Sequence, residues 1–189
     1  MGAFFFRNRG WLPVPALLVA LAMCEPMSLV MALGLAFVPL GLLVRLWAML
    51  HIGPDARRQE VYAKKLVYTG PYELSRNPLY IANIIAYTGI GLATGGPAGF
   101  VLAAAAVTVY YGIIVRYEEV ELEQRLGEVY RSYRNRVPRW MGESAPVHAA
   151  APKIAMEVRF NSALRAERST YIVTGLVVTS IVLRAMTVG

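Results

Sequence analysis

Charge is scarce in this chain. Asp, Glu, Lys and Arg together make up 16% of its 189 residues, against roughly 25% in an ordinary soluble domain. Cysteine is nearly absent too. Cys24 stands alone, which excludes an intramolecular disulfide framework. The two histidines, His51 and His148, make no zinc-spaced cluster with it, so no metal site is expected. Long polar stretches of low hydropathy are missing, which excludes disorder. What fills the chain instead is apolar: 57% of residues are of the AVILMFWYC set and mean hydropathy is +0.46. The class that remains is a small, all-α, polytopic integral membrane protein.

Lys and Arg number 19 against 12 Asp and Glu, giving +7 and a pI of 9.8. In a soluble chain that excess would suggest nucleic acid. Here the basic residues lie between long apolar runs, so no nucleic-acid partner is expected and membrane lipids are. Four to five transmembrane helices are expected. The stretch 77–115 is uncharged and interrupted by Gly95-Gly96-Pro97, a strong turn signal. It leaves 18 residues on either side, each about 27 Å long as a helix, close to the thickness of a bilayer core. This reads as a helical hairpin. Met27–Val44 is a second uncharged run, extended to Ile52 past Arg45, and Ser169–Leu183 is another. Gly10–Cys24 reads as a retained first span rather than a cleaved leader, because no small-residue cleavage site follows it. The organisation expected is an N-terminal helical hairpin over 1–52, a core over 53–140, a linker and basic surface helix over 141–168, and a C-terminal span over 169–189. All Lys and Arg except Arg45 and Arg184 fall in the N-terminus and two long loops. Their asymmetry predicts a cytoplasmic N-terminus, a multi-pass topology and a polar site at the cytoplasmic face.

Two segments concentrate the polar residues. In the first, Leu66 to Tyr80, Gly70-Pro71 is a turn, and Asn77-Pro78 reads as an N-cap followed by proline at the first helical position. A helix start beside Arg76 can seat a carboxylate, or it can simply be a capped helix with a snorkelling arginine. The second segment runs from Arg116 to Tyr133. Helical periodicity puts Leu122, Leu126, Val129 and Tyr133 on one stripe, with Tyr130 at its edge and Glu118 and Glu119 on the same face. Glu121 and Glu123 flank it and face water. Carboxylates on an apolar face need a cation, from a loop arginine such as Arg76 or Arg116 or from an ammonium- or sulfonium-bearing ligand.

The order Leu66-x-x-x-Gly70-Pro71-Tyr72-x-x-x-Arg76-Asn77-Pro78-x-Tyr80, then a hairpin, then Glu118-Glu119-x-x-Leu122, Gly127, Tyr130 and Tyr133, resembles the isoprenylcysteine carboxyl methyltransferase and phospholipid methyltransferase superfamily over roughly residues 45–140. The resemblance implies a membrane enzyme that transfers a methyl group from S-adenosylmethionine to a lipophilic acceptor, a prenylcysteine-like carboxylate or a phospholipid amine. It implies catalytic roles for Arg76, Asn77 and Glu119. It implies a cofactor pocket from Leu66, Gly70, Tyr72, Arg76, Asn77, Pro78, Tyr80, Glu118 and Glu119. One departure stands out: the family usually has histidine where this chain has Asn77, and asparagine cannot take a proton near neutral pH. The rival reading is a non-catalytic membrane scaffold or transport subunit that kept the helical framework.

Other residues read more blandly. Tyr80 either closes over a ligand or anchors at the interface, as Tyr110 and Tyr111 are expected to do. Arg45 either snorkels to the surface or faces a ligand. His51 reads as an interfacial structural residue and His148 as part of a linker. The C-terminal span reads as an anchor or as a contact between copies of the chain in a homo-oligomer.

Overall fold

The computed structural model describes residues 2–8, 18, 19, 22, 28–52, 66–143 and 156–188. Among them every regular element is a helix: α1 (Gly2–Arg7), α2 (Leu29–Ile52), α3 (Pro71–Leu74), α4 (Pro78–Leu126), α5 (Glu128–Arg136) and α6 (Met156–Val188). Among the described residues three stretches are long and apolar enough to cross a membrane: Leu29–Ile52, Pro78–Leu126 and Phe160–Thr187. The expected first span, Gly10–Cys24, lies almost wholly outside the described residues, as do Cys24 and His148.

Helix α4 folds back on itself as the Gly-Gly-Pro signal predicts. Gly95 and Gly96 leave helical geometry, and Gly96 takes φ 57° and ψ −151°, a conformation open in practice to glycine alone. The two legs, 78–94 and 97–126, then run antiparallel, and Asn83 near the start of the first reaches Tyr111 on the second. Helix α2 lies along the first leg through small residues. A Cβ at Gly34 would stand 2.5 Å from the Ala93 nitrogen, and one at Gly41 would stand 2.7 Å from the Ala82 carbonyl oxygen. In lipid, where the surroundings are as apolar as leucine, such close backbone approach supplies the contact energy between helices.

Helix α6 packs against both, burying Ile181 and Ala185 with Met31, Val38, Ile90 and Ala93. It runs unbroken through residue 168, where the sequence suggests a surface helix giving way to a span. Helix α1 places Phe6 against Tyr117, ring centroids 5.7 Å apart, at the second leg.

The stripe expected beyond the hairpin is only half realised. Gly127 adopts φ 55° and separates α4 from α5. The register therefore shifts: Tyr130, Tyr133 and Val137 are buried against Leu66, Tyr68, Leu122 and Leu126, whereas Val129 turns outward at 61% exposure. A continuous helix would have buried it.

Candidate active site

Both polar segments meet at the open end of the hairpin, where the first leg begins and the second ends. The strand of chain 75–77 is clasped by residues 138 and 139. Arg76 donates its backbone N–H to the Pro138 carbonyl at 3.0 Å. The Ser75 hydroxyl donates to the Arg139 carbonyl at 3.2 Å, and the Asn77 side-chain amide donates to the same oxygen at 3.1 Å. Asn77 begins the helix through its backbone, its carbonyl accepting from the Tyr80 and Ile81 N–H groups. Its side chain makes no capping bond. The expected side-chain cap is thus corrected: Pro78 already removes one orphan donor, and the Asn77 amide is drawn away to Arg139.

Glu118 and Glu119, neighbours in sequence, part company. Glu118 accepts from the Tyr80 hydroxyl at 2.7 Å. Glu119 is buried and receives two guanidinium groups, Arg76 at 3.3 Å and Arg139 at 2.7 Å, with the Asn77 amide nitrogen 3.5 Å away. The loop-arginine alternative is the one realised, by Arg76 together with Arg139. The hydrogen bonds that Arg139 donates to Glu119 raise the pKa of Arg139 and hold it charged. Arg139 was not singled out from the sequence; its position just after Val137-Pro138, where α5 must stop, was the available signal.

Arg76 is the unusual member. Its side chain is 8% exposed, yet among the described residues its Nε and Nη1 have no hydrogen-bond partner. Burial of such donors is costly unless something accepts from them. The Tyr72 hydroxyl is likewise buried and unpartnered, and burial, with Tyr133 and Glu118 adding and Arg45 opposing, pushes its pKa well up. It stays neutral. Tyr72 is fixed by its own carbonyl, which accepts from the Tyr133 hydroxyl at 2.7 Å. Beside Arg76, burial pushes Tyr130 up to about 12.

The remaining expected residues sort by element. Pro78 is buried at the first turn of α4. Tyr80 stacks on Tyr111, centroids 4.9 Å apart. Leu66 lies in the apolar cluster of Tyr130, Tyr133 and Val137. Gly70 donates to the Glu73 carboxylate at 3.2 Å and packs under the His51 ring, which a Cβ would strike. His51 sits with Nδ1 2.9 Å from the Trp47 carbonyl oxygen one turn back in α2. Tyr111 is no interfacial anchor: it is 3% exposed, inside the bundle. Glu121 and Glu123 bind arginines of their own, Arg125 in one case and Arg131 and Arg134 in the other.

Helices suited to a bilayer, a glycine-turned hairpin and a buried carboxylate–guanidinium cluster at its open end together define an integral membrane protein with a polar site at one end of its bundle. Residues 29–129 match the family model described as phospholipid methyltransferase, and the chain belongs to that family. Among curated proteins it is similar to the cobalt-zinc-cadmium resistance protein CzcN of Cupriavidus metallidurans, 33% identical over 58% of this chain and 48% of that one. It is similar to the nickel-cobalt-cadmium resistance protein NccN of Alcaligenes xylosoxydans, 30% identical over 57% and 47%. It is also similar to protein-S-isoprenylcysteine O-methyltransferase B of Arabidopsis thaliana, 31% identical over 56% and 55%. The chain spans about half the length of these relatives. No solved structure matches it. The family match stops short of Tyr130 to Trp140 and of all of α6.

Proposed function

We propose that this protein transfers a methyl group from S-adenosylmethionine to a lipophilic acceptor at the cytoplasmic membrane face. The observation that carries the reading is Arg76: a guanidinium 8% exposed, with Nε and Nη1 unpartnered, beside the start of α4. Such a group is arranged to take an anion. In this reading Arg76 would donate to the carboxylate at the amino-acid end of that cofactor, Glu118 would accept from its ammonium or a ribose hydroxyl, and Tyr72 would help shape the pocket. Bound there, the cofactor supplies an electrophilic methyl on a sulfonium centre. The chain's own residues bind, orient and keep water out. Glu119 holds Arg76 and Arg139 in place, Asn77 ties the 139 segment to the helix start, and Tyr80 aims Glu118. Asn77 takes no proton near neutral pH, which favours an acceptor atom that needs no deprotonation, such as a carboxylate oxygen.

Calorimetric titration of S-adenosylhomocysteine into the purified protein tests the binding. We expect micromolar affinity that falls 10- to 100-fold in Arg76→Gln, the loss of a charge-assisted pair. Methyl transfer from labelled S-adenosylmethionine to prenylcysteine and phospholipid acceptors then tests the reaction. Absence of any heat would leave the scaffold or transport-subunit reading in place.

The names of two relatives add a physiological setting, resistance to cobalt, zinc, nickel and cadmium. Among the described residues no group of three His, Cys, Asp or Glu side chains could hold a metal ion. In the methyl-transfer reading, a contribution to resistance would run through modification of a membrane component. Growth of a metal-sensitive strain expressing the native or the Arg76→Gln protein in cadmium decides it.

A further inference from the structure

A second polar feature lies just inside the open end of the hairpin, where Asn83 of the first leg meets Arg45 of α2. Arg45 of α2 points its Nε at Glu167 of α6 at 2.6 Å and its Nη2 at the other carboxylate oxygen at 3.1 Å, while Nη1 donates to the Asn83 side-chain oxygen at 2.8 Å. Glu167 is wholly buried. Against this group sits a partly enclosed cavity of about 70 Å³ between α2, α4 and α6, several times the roughly 10–15 Å³ that one water needs. Its walls are mostly apolar, with Leu42, Ile90 and Val177 among them, and its polar members are Arg45, Asn83, Tyr87, Thr170 and Thr174.

Three observations say what it takes. Val173 lines the cavity and is also 55% exposed on the outer face of α6, so the cavity opens sideways, towards lipid. The two charges beside it, Arg45 and Glu167, cancel. An anionic head would compete with Glu167 for Arg45 and strand a buried carboxylate, and a cationic head would face a guanidinium. The Thr174 hydroxyl, finally, makes no hydrogen bond among the described residues, and Arg45 keeps N–H groups beyond those used. A hydroxyl can accept from Arg45 and pair with Thr174 without adding charge.

We propose that this cavity binds a bilayer lipid with an uncharged, hydroxyl-bearing head, such as a long-chain alcohol. The site is separate from the Arg76–Glu119 cluster and does not depend on the methyl-transfer reading. One of its walls is α6, which lies beyond the family match. The test uses the full chain in lipid nanodiscs and a diazirine-bearing dodecanol, with labelled positions mapped by peptide mass spectrometry. Label should concentrate on Leu42, Val173 and Val177, and 1-dodecanol should compete at least ten-fold better than dodecanoate or dodecyltrimethylammonium. Thr174→Leu, which fills the cavity, should reduce labelling several-fold. The near-isosteric Thr174→Val should reduce it less and leaves packing intact. Label spread evenly over lipid-facing positions such as Leu43 and Leu183 would overturn the proposal. So would equal competition by dodecanoate, or labelling unchanged in both Thr174 variants.

Discussion

At the scale of single residues, Glu119 governs the open end of the hairpin because it is buried and faces two arginines of different exposure. Arg76 is 8% exposed and Arg139 39%. Removing the carboxylate in Glu119→Gln leaves Arg76 buried without a counter-charge, and the expected loss is about 3 kcal/mol. Arg139→Gln removes a half-solvated partner while Arg76 remains, and the expected loss is nearer 1 kcal/mol. Thermal denaturation of the detergent-purified variants checks the order; equal losses would mean that burial does not set the hierarchy. Asn77 is a rivet in the same cluster. Asn77→Ala should cost about 1 kcal/mol for one hydrogen bond to the Arg139 carbonyl. Asn77→Asp should cost more, since it sets a second carboxylate beside Glu119 and against that carbonyl. A helix cap, by contrast, would tolerate Asp as well as Asn, so comparing the two variants separates rivet from cap.

At the scale of elements, two glycines with positive φ decide where helices end. The turn at Gly95-Gly96-Pro97 makes the hairpin, and the break at Gly127 makes α5. The second is the less obvious, because periodicity carries straight across it. Gly127→Ala forces a side chain into φ 55°, ψ −127°, and the expected loss is about 1–3 kcal/mol. The shift of register has its own signature. Tyr130→Ala empties a site that is 1% exposed and should cost about 3–5 kcal/mol, whereas Val129→Ala, at 61% exposure, should stay within about 0.5 kcal/mol. A continuous stripe through Val129 would reverse that contrast. Melting curves of the pair discriminate the two arrangements.

At the scale of the whole molecule, the Arg45–Glu167 pair makes the C-terminal helix part of the bundle. Tyr80 stacked on Tyr111, Tyr111 bonded to Asn83, and Asn83 bonded to Arg45 continue the polar contacts from Glu118 to α6. Arg45→Met alone strands a buried carboxylate and should destabilise by about 3–5 kcal/mol; the double change with Glu167→Leu should recover most of that loss. Additive losses would show that the two groups do not depend on each other. The homo-oligomer contact expected of α6 would then use the face opposite Arg45, where Ile172 and Leu176 are exposed.

Much of this architecture is local and therefore legible along the chain. Apolar runs of span length, the Gly-Gly-Pro turn and Pro78 at a helix start all follow from composition and spacing, because bilayer thickness and backbone sterics act on consecutive residues; periodicity also turns Glu119 inward but leaves its partner open between a loop arginine and a ligand. What the tertiary structure alone decided are pairings across distance. Arg139 answers Glu119 over 20 residues and Glu167 answers Arg45 over 122. Periodicity can mark a charge as facing inward, but the choice among many distant counter-charges depends on which helices pack side by side. The separate fates of Glu118 and Glu119 and the inward place of Tyr111 have the same origin. Each depends on helix rotation and crossing, set here by glycine seams such as Gly34 and Gly41 on α2, and no single segment of sequence contains both sides of those contacts.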